Sequence, residues 1–161
     1  MISMDETPPL THLGATTEYR YDAPDASLLE AFANPSSGAA QAVRLLVQEF
    51  TALCPITGQP DYGTIAIDYV PGPRMVESKS LKLYLVGFRN HGAFGEALAN
   101  RIADDLVALL APRWLRVRAD FRPRGGIAII ALAERVGPDE DPVPLRALAA
   151  GLATPASTGS A

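Results

Sequence analysis

The feature that most constrains this chain is a change of hydrophobic period within residues 41–137, from two to about 3.6 and back to two. Ala42–Leu53 is a β-prone run closed by Cys54-Pro55. Beyond a Pro/Gly loop, Ile65, Ile67 and Tyr69 alternate with Thr64, Ala66 and Asp68, a second strand ended by Pro71-Gly72-Pro73. Leu81, Tyr84, Leu85 and Phe88 then fall at i, i+3, i+4 and i+7, one apolar stripe of a helix that Ser78 is placed to cap. Asn90-His91-Gly92 breaks that helix. A second helix follows, with Phe94, Leu98, Ile102, Leu106, Leu109 and Leu110 on its buried face, and Pro112 stops it. Alternation returns in Leu115, Val117, Ala119 and Phe121, turns at Pro123-Arg124-Gly125-Gly126, and ends in a strand over Ile127–Val136. The order ββααββ predicts an α+β fold, an antiparallel sheet with two helices on one face. A doubly wound parallel sheet needs alternating strands and helices, which this chain lacks.

The flanks carry no such pattern. Residues 1–40 are rich in Pro, Ser, Thr, Ala and Asp and read as an irregular N-terminal arm with a helical turn around 26–33. Residues 138–161 are rich in Pro, Ala and Ser and read as a flexible C-terminal tail. A chain of 161 residues is one domain with room for a core. Its single cysteine excludes an internal disulfide and suits a reducing compartment. No apolar stretch is long enough for a membrane span, and the start, MISMDETPPL, lacks a signal core, so a cytoplasmic protein is expected. The net charge is −4, yet residues 74–124 hold ten Lys/Arg against five Asp/Glu. A basic segment in an acidic chain fits a small anionic ligand better than direct nucleic-acid binding. One Cys and two distant His, His12 and His91, build no zinc spacing.

Four groups of residues could carry chemistry. Cys54 abuts a loop of prolines and glycines, with Asp61 seven residues on. A buried, inert thiol and a nucleophile with a carboxylate partner are both consistent with that loop. A carboxylate would raise the thiol's pKa unless cations offset it, so Asp61 suits an acid for the substrate better than an activator. In "ESKSLKLY", Glu77–Tyr84, Lys79 and Lys82 share one side of a helix start, misplaced for the helix dipole unless a phosphate binds there; otherwise they are a solvated face. Arg122 and Arg124 flank a turn and could grip phosphates or simply be exposed. Glu96 heads the polar side of the second helix, where Asn100 and Asp104 follow, and could instead bind the donor edge of a guanine-like ring.

Together, "FTALCPITGQPDYGTIAIDYVPG", "VESKSLKLYLVGFRNHGAF" and "FRPRGGIAI" closely resemble the NADPH-dependent 7-cyano-7-deazaguanine reductases, the QueF-type nitrile reductases of queuosine biosynthesis. The resemblance spans roughly residues 44–133 and looks like the short, single-module form. It implies a tunnelling fold (T-fold), and a homo-oligomer with active sites between subunits, a decamer of two pentamers being the expected size. It implies that Cys54 attacks the nitrile of 7-cyano-7-deazaguanine to form a thioimide and that Asp61 is the general acid. Val76, Glu77, Ser78, Gly95 and Glu96 match substrate-binding positions; Lys79, Lys82 and Arg124 match positions on the NADPH side. One departure stands out. The family usually has His-Glu where this chain has Gly95-Glu96. The glycine is expected to leave space for a water or for His91, and Gly95→His to raise turnover if that space is a defect.

Three other readings compete. Relatives that form an amidine on archaeal tRNA use the same cysteine but lack the "ESKSLKLY" segment that is intact here. Zinc-dependent cyclohydrolases share the T-fold but need a metal site this chain cannot build. A deazapurine binder, or a thioimide former with impaired chemistry, is the alternative that Gly95 raises.

Overall fold

The structure, a computed structural model, describes residues 9–152. Its elements run β1 (Ala31–Ala33), β2 (Val43–Leu53), β3 (Pro60–Val70), β4 (Arg74–Val76), α1 (Ser78–Val86), α2 (Gly95–Leu110), β5 (Trp114–Arg124), β6 (Ile127–Val136) and α3 (Pro142–Ala150). The main sheet is antiparallel throughout, in the order β2-β3-β5-β6. The ββααββ order of the sequence is therefore its backbone, and the two central helices supply its cover.

Period-two patterning sorts the sheet into two faces. Ile65 and Ile67 on β3, Val117 and Ala119 on β5, and Ala131 and Ala133 on β6 lie in register and are buried under the helices. From α2, Leu98, Ile102, Leu106 and Leu110 complete this core. Four such side chains contribute on the order of 6–12 kcal/mol of gross burial, far more than the cost of that helix's weak start at Phe94. The turn between β5 and β6 is Gly125-Gly126, with φ of 61° and 81°, the double left-handed geometry that a two-residue hairpin requires.

Several local expectations are corrected. Ser78 does not cap α1; Glu77 does, its carboxylate accepting the N–H groups of Lys79 and Ser80 at 2.8 and 2.7 Å. A longer side chain one position earlier reaches both orphan donors, and Ser78 becomes the first helical residue. Phe94 is not on a buried face: it precedes α2 and is 59 % exposed. The N-terminal arm has a 3-10 turn at Ala26–Leu28 but then forms β1, which pairs with β4 through Ala31↔Val76, Phe32↔Met75 and Ala33↔Arg74.

The expected flexible tail is, over Pro142–Ala150, a helix. Leu145 and Ala149 pack on Val70 and Trp114, on the sheet face away from α1 and α2. Glu134 anchors this helix, accepting from the Trp114 indole at 2.6 Å and from Arg146. Beside it Asp68, nearly fully buried, accepts from Arg44 at 2.6 Å and from Arg116 at 2.8 Å. A Pro/Ala-rich composition hid an amphipathic stripe that only this docking surface rewards. The remainder of the tail expectation, 153–161, and the first eight residues of the arm lie outside the described residues. No helix among the described residues is long and apolar enough to cross a membrane, and no cluster of ligating side chains suits a metal there.

Candidate active site

The loop joining β2 to β3 is closed at its base by two backbone bonds, Cys54 N–H to the Gln59 carbonyl at 2.8 Å and Gly58 N–H to the Cys54 carbonyl at 2.9 Å. Those bonds fix the thiol at the top of the sheet. Thr57 and Ile56, on the same loop, turn hydroxyl and N–H donors toward it, and Arg124 approaches from the β5 end of the last hairpin. The thiol's pKa is pulled down from 9.0 to about 6, first by the Thr57 hydroxyl and N–H, then by the Arg124 guanidinium and the Ile56 N–H, against a smaller opposing effect of burial. At neutral pH Cys54 is mostly thiolate, the reactive form. Hydroxyl, N–H and guanidinium donors around the sulfur set it apart from a thiol packed among apolar groups alone.

Asp61 pairs across the hairpin with Ala52 and so stands beside the thiol loop. Its carboxylate meets Arg124 Nε at 3.2 Å. The same guanidinium donates to Thr57 Oγ1 at 3.2 Å. One arginine thus stands between carboxylate and thiolate and offsets the repulsion that would otherwise separate their roles. The resemblance placed Arg124 on the cofactor side; here its charge is committed to Asp61 and Cys54. Thr57 carried no signal in the sequence beyond lying three residues past the cysteine, on a turn whose closure only the folded loop reveals.

Asp61, Ala93, Gly95, Phe121, Arg122 and Arg124 are among the residues around a pocket of about 210 Å³. Gly95 reaches it because the segment between the helices is pinned to the end of β2: Leu53 N–H donates to the His91 carbonyl at 3.0 Å, and Ala93 N–H to the Leu53 carbonyl at 3.1 Å. The space at Gly95 is already taken. A Cβ built there would lie 2.7 Å from Cε2 of Phe121, whose ring packs edge-on to Phe50 at 6.3 Å. Neither a water nor His91 is the filler that the sequence suggested. His91 instead packs against Phe88, and its Nε2 lies 3.5 Å from Arg101 Nη1. Burial and then the Arg101 charge lower its pKa, which disfavours the protonated ring.

The other expected substrate residues are not brought to this pocket. Val76, Glu77 and Ser78 sit at the start of α1, a nine-residue helix about 13 Å long, whose far end leads to the His91–Leu53 contact. Glu77 is 6 % exposed and occupied by capping α1. Glu96 lies in the first turn of α2, where its charge suits the dipole, and faces solvent next to Gly95.

A second, larger space of about 890 Å³ runs between α1 and the bulged middle of β2. Lys82, Arg89 and Arg122 open on it, along with Tyr62, Phe50 and Glu49. Its size and cationic lining fit a dinucleotide such as NADPH. Of the three cations expected on the cofactor side, Lys82 alone borders it. Lys79 donates its ammonium to the His12 and Ala15 carbonyls at 2.6 and 2.8 Å and holds the N-terminal arm.

Comparison with known proteins places this geometry in context. Residues 60–140 match the family model described as QueF-like protein. The chain is 57 % identical over 122 residues to the NADPH-dependent 7-cyano-7-deazaguanine reductase of Porphyromonas gingivalis, covering 75 % of this chain and 78 % of that one. It is 54 % identical over 129 residues to the enzyme of that name from Ruegeria pomeroyi, covering 80 % and 83 % respectively. Among solved structures, an archaeosine synthase QueF-Like in its apo form superposes with a TM-score of 0.56 at 22 % identity, covering 60 % of this chain and 94 % of that one. That likeness is one of fold.

Proposed function

The chain belongs to the family of NADPH-dependent 7-cyano-7-deazaguanine reductases, and from that premise we propose that it reduces the nitrile of 7-cyano-7-deazaguanine to the aminomethyl group, in the queuosine branch of tRNA modification. The observation that carries the reading is the thiolate of Cys54 held by Thr57 and Arg124, with Asp61 on the other side of the same arginine. A nitrile is a weak hydride acceptor. Addition of the Cys54 sulfur to its carbon, with a proton taken up at nitrogen, gives a thioimide that accepts hydride readily. Asp61 supplies protons to that nitrogen as charge builds on it. Cleavage of the C–S bond after the first hydride returns the thiolate and leaves an imine, which a second hydride and proton convert to the amine. Nitrile to amine therefore consumes two hydrides and two protons. NADPH, when bound, supplies the hydrides; Lys82 and the groove beside α1 are the residues that would hold it.

Val76, Glu77, Ser78 and Glu96 complete this reading only through a second copy of the chain, because α1 separates the first three from Cys54 and Glu96 faces outward. We therefore propose a homo-oligomer with sites between subunits, a decamer being the expected size. Supporting it, β2 and β6 are open edges among the described residues, and Ile127, Ile130 and Leu132 on β6 are each more than half exposed. The single thiol works best reduced, which suits the cytoplasm.

The test is to mix the purified chain with 7-cyano-7-deazaguanine and NADPH and follow the cofactor's absorbance. Loss is expected at two NADPH per substrate, and Cys54→Ala should abolish it. A covalent adduct seen by mass spectrometry without NADPH consumption would instead identify a thioimide former that stops before reduction.

A further inference from the structure

The pocket beside Asp61 and Gly95 and the cationic groove are separate spaces, and among the residues lining either, Arg122 alone lines both. We propose that Arg122 anchors a phosphate of the bound dinucleotide where the groove opens toward the Asp61 pocket, with Lys82 on α1 and Arg89 just beyond its end as further phosphate contacts. This rests on the reductase reading and deepens it, because it moves the β5-side anchoring role from Arg124 to Arg122.

The charge pattern of β5 singles the residue out. Arg116 meets Asp68 at 2.8 Å, Arg118 meets Asp120 at 2.8 Å, and Arg124 meets Asp61 at 3.2 Å. Arg122, on the same strand, has no carboxylate partner among the described residues. Arg124 could bind a phosphate only by releasing Asp61 and weakening the thiolate's support, whereas Arg122 loses nothing. Lys82 is likewise without a carboxylate partner there. Arg89 lies over the Tyr21 ring at 5.5 Å, which orients the guanidinium and leaves its charge uncompensated.

Glu49 is the one carboxylate on the groove wall, against these three cations. Such a surface raises the local potential and favours an anion. Its shape favours a long one. Lys82 lies on α1 and Arg89 in the turn beyond its last residue, Val86, so the two cations line different stretches of the groove wall. A dinucleotide carries phosphates at separate points and a reactive ring at one end. With phosphates along the groove, Arg122 holds the end nearest Asp61 and Cys54.

The experiment measures binding apart from turnover. NADPH is titrated against the full-length wild type, Arg122→Gln and Arg122→Lys by calorimetry. In parallel, each is incubated with 7-cyano-7-deazaguanine alone and the covalent adduct is weighed by mass spectrometry. Loss of a charge-assisted contact should raise the Kd of Arg122→Gln about ten- to a hundred-fold, a larger effect than any on adduct yield. Arg122→Lys, which keeps the charge but not the planar fork, should fall between. Wild-type affinity in Arg122→Gln would overturn the assignment, as would loss of adduct and NADPH together in both variants, which marks a structural role. A wild type that binds no NADPH would overturn the reductase reading as well.

Discussion

Removing the Thr57 hydroxyl should make Cys54 a slower nucleophile, and the size of the effect depends sharply on pH. With a pKa of about 6, half of the thiol is ionised at pH 6. At an ordinary value of about 8.5, roughly 0.3 % would be. Each thiolate is also a better nucleophile when its pKa is higher, by about 13-fold over this interval for a Brønsted slope near 0.45. The two effects oppose each other, leaving the native site about 12-fold faster at pH 6 and only about twofold faster at pH 7. The assay is therefore stopped-flow reaction with an aromatic disulfide from pH 5 to 9. Thr57→Val should move the break in the rate profile above 6 and slow the reaction several-fold at pH 6. Thr57→Val with Arg124→Gln should approach the 12-fold ceiling, because Asp61 then faces the sulfur without its intervening cation. Near-ultraviolet dichroism checks that both variants remain folded. A break near 6 in every variant, or near 8.5 in the wild type, would refute the assignment of donors. The depressed thiol pKa also has a stability consequence. Its contribution is complete above about 8.5 and is lost as pH falls through about 6.

Two further predictions concern the substrate side. Gly95→His should lower stability by about 1–3 kcal/mol and reduce turnover, because its Cβ would press on Phe121, 2.7 Å away; with Phe121→Leu the two changes should couple by at least about 1 kcal/mol in a double-mutant cycle. Additivity, or faster turnover from Gly95→His alone, would show that the ring yields freely. If sites lie between subunits, inactive Cys54→Ala and Glu77→Gln chains, unfolded and refolded together in equal amounts, should regain about a quarter of wild-type activity, the fraction of sites drawing both intact residues from different copies. Continued inactivity of the mixture would place both residues in the same copy's site.

How much of the site was legible depended on whether a residue's role is local. Cys54 and Asp61 could be singled out because a Pro/Gly loop and one hairpin keep them close whatever surrounds them. Lys79 could not be placed, because its partners are carbonyls of His12 and Ala15, more than 60 positions earlier. Gly95 looked like a vacancy because the ring that fills it belongs to Phe121, on a strand beyond α2. Ser78 and Glu77 are adjacent potential caps, and only the turn geometry decided which one reached the free N–H groups.

By itself the sequence determined the four long strands, the two central helices and their order, since hydrophobic period is a property of neighbours along the chain. Its motifs also determined the family. Tertiary structure alone decided the docking of α3, the thiol's low pKa and the meeting of two spaces at Arg122. Each depends on groups distant in sequence, whose burial and fields act through space.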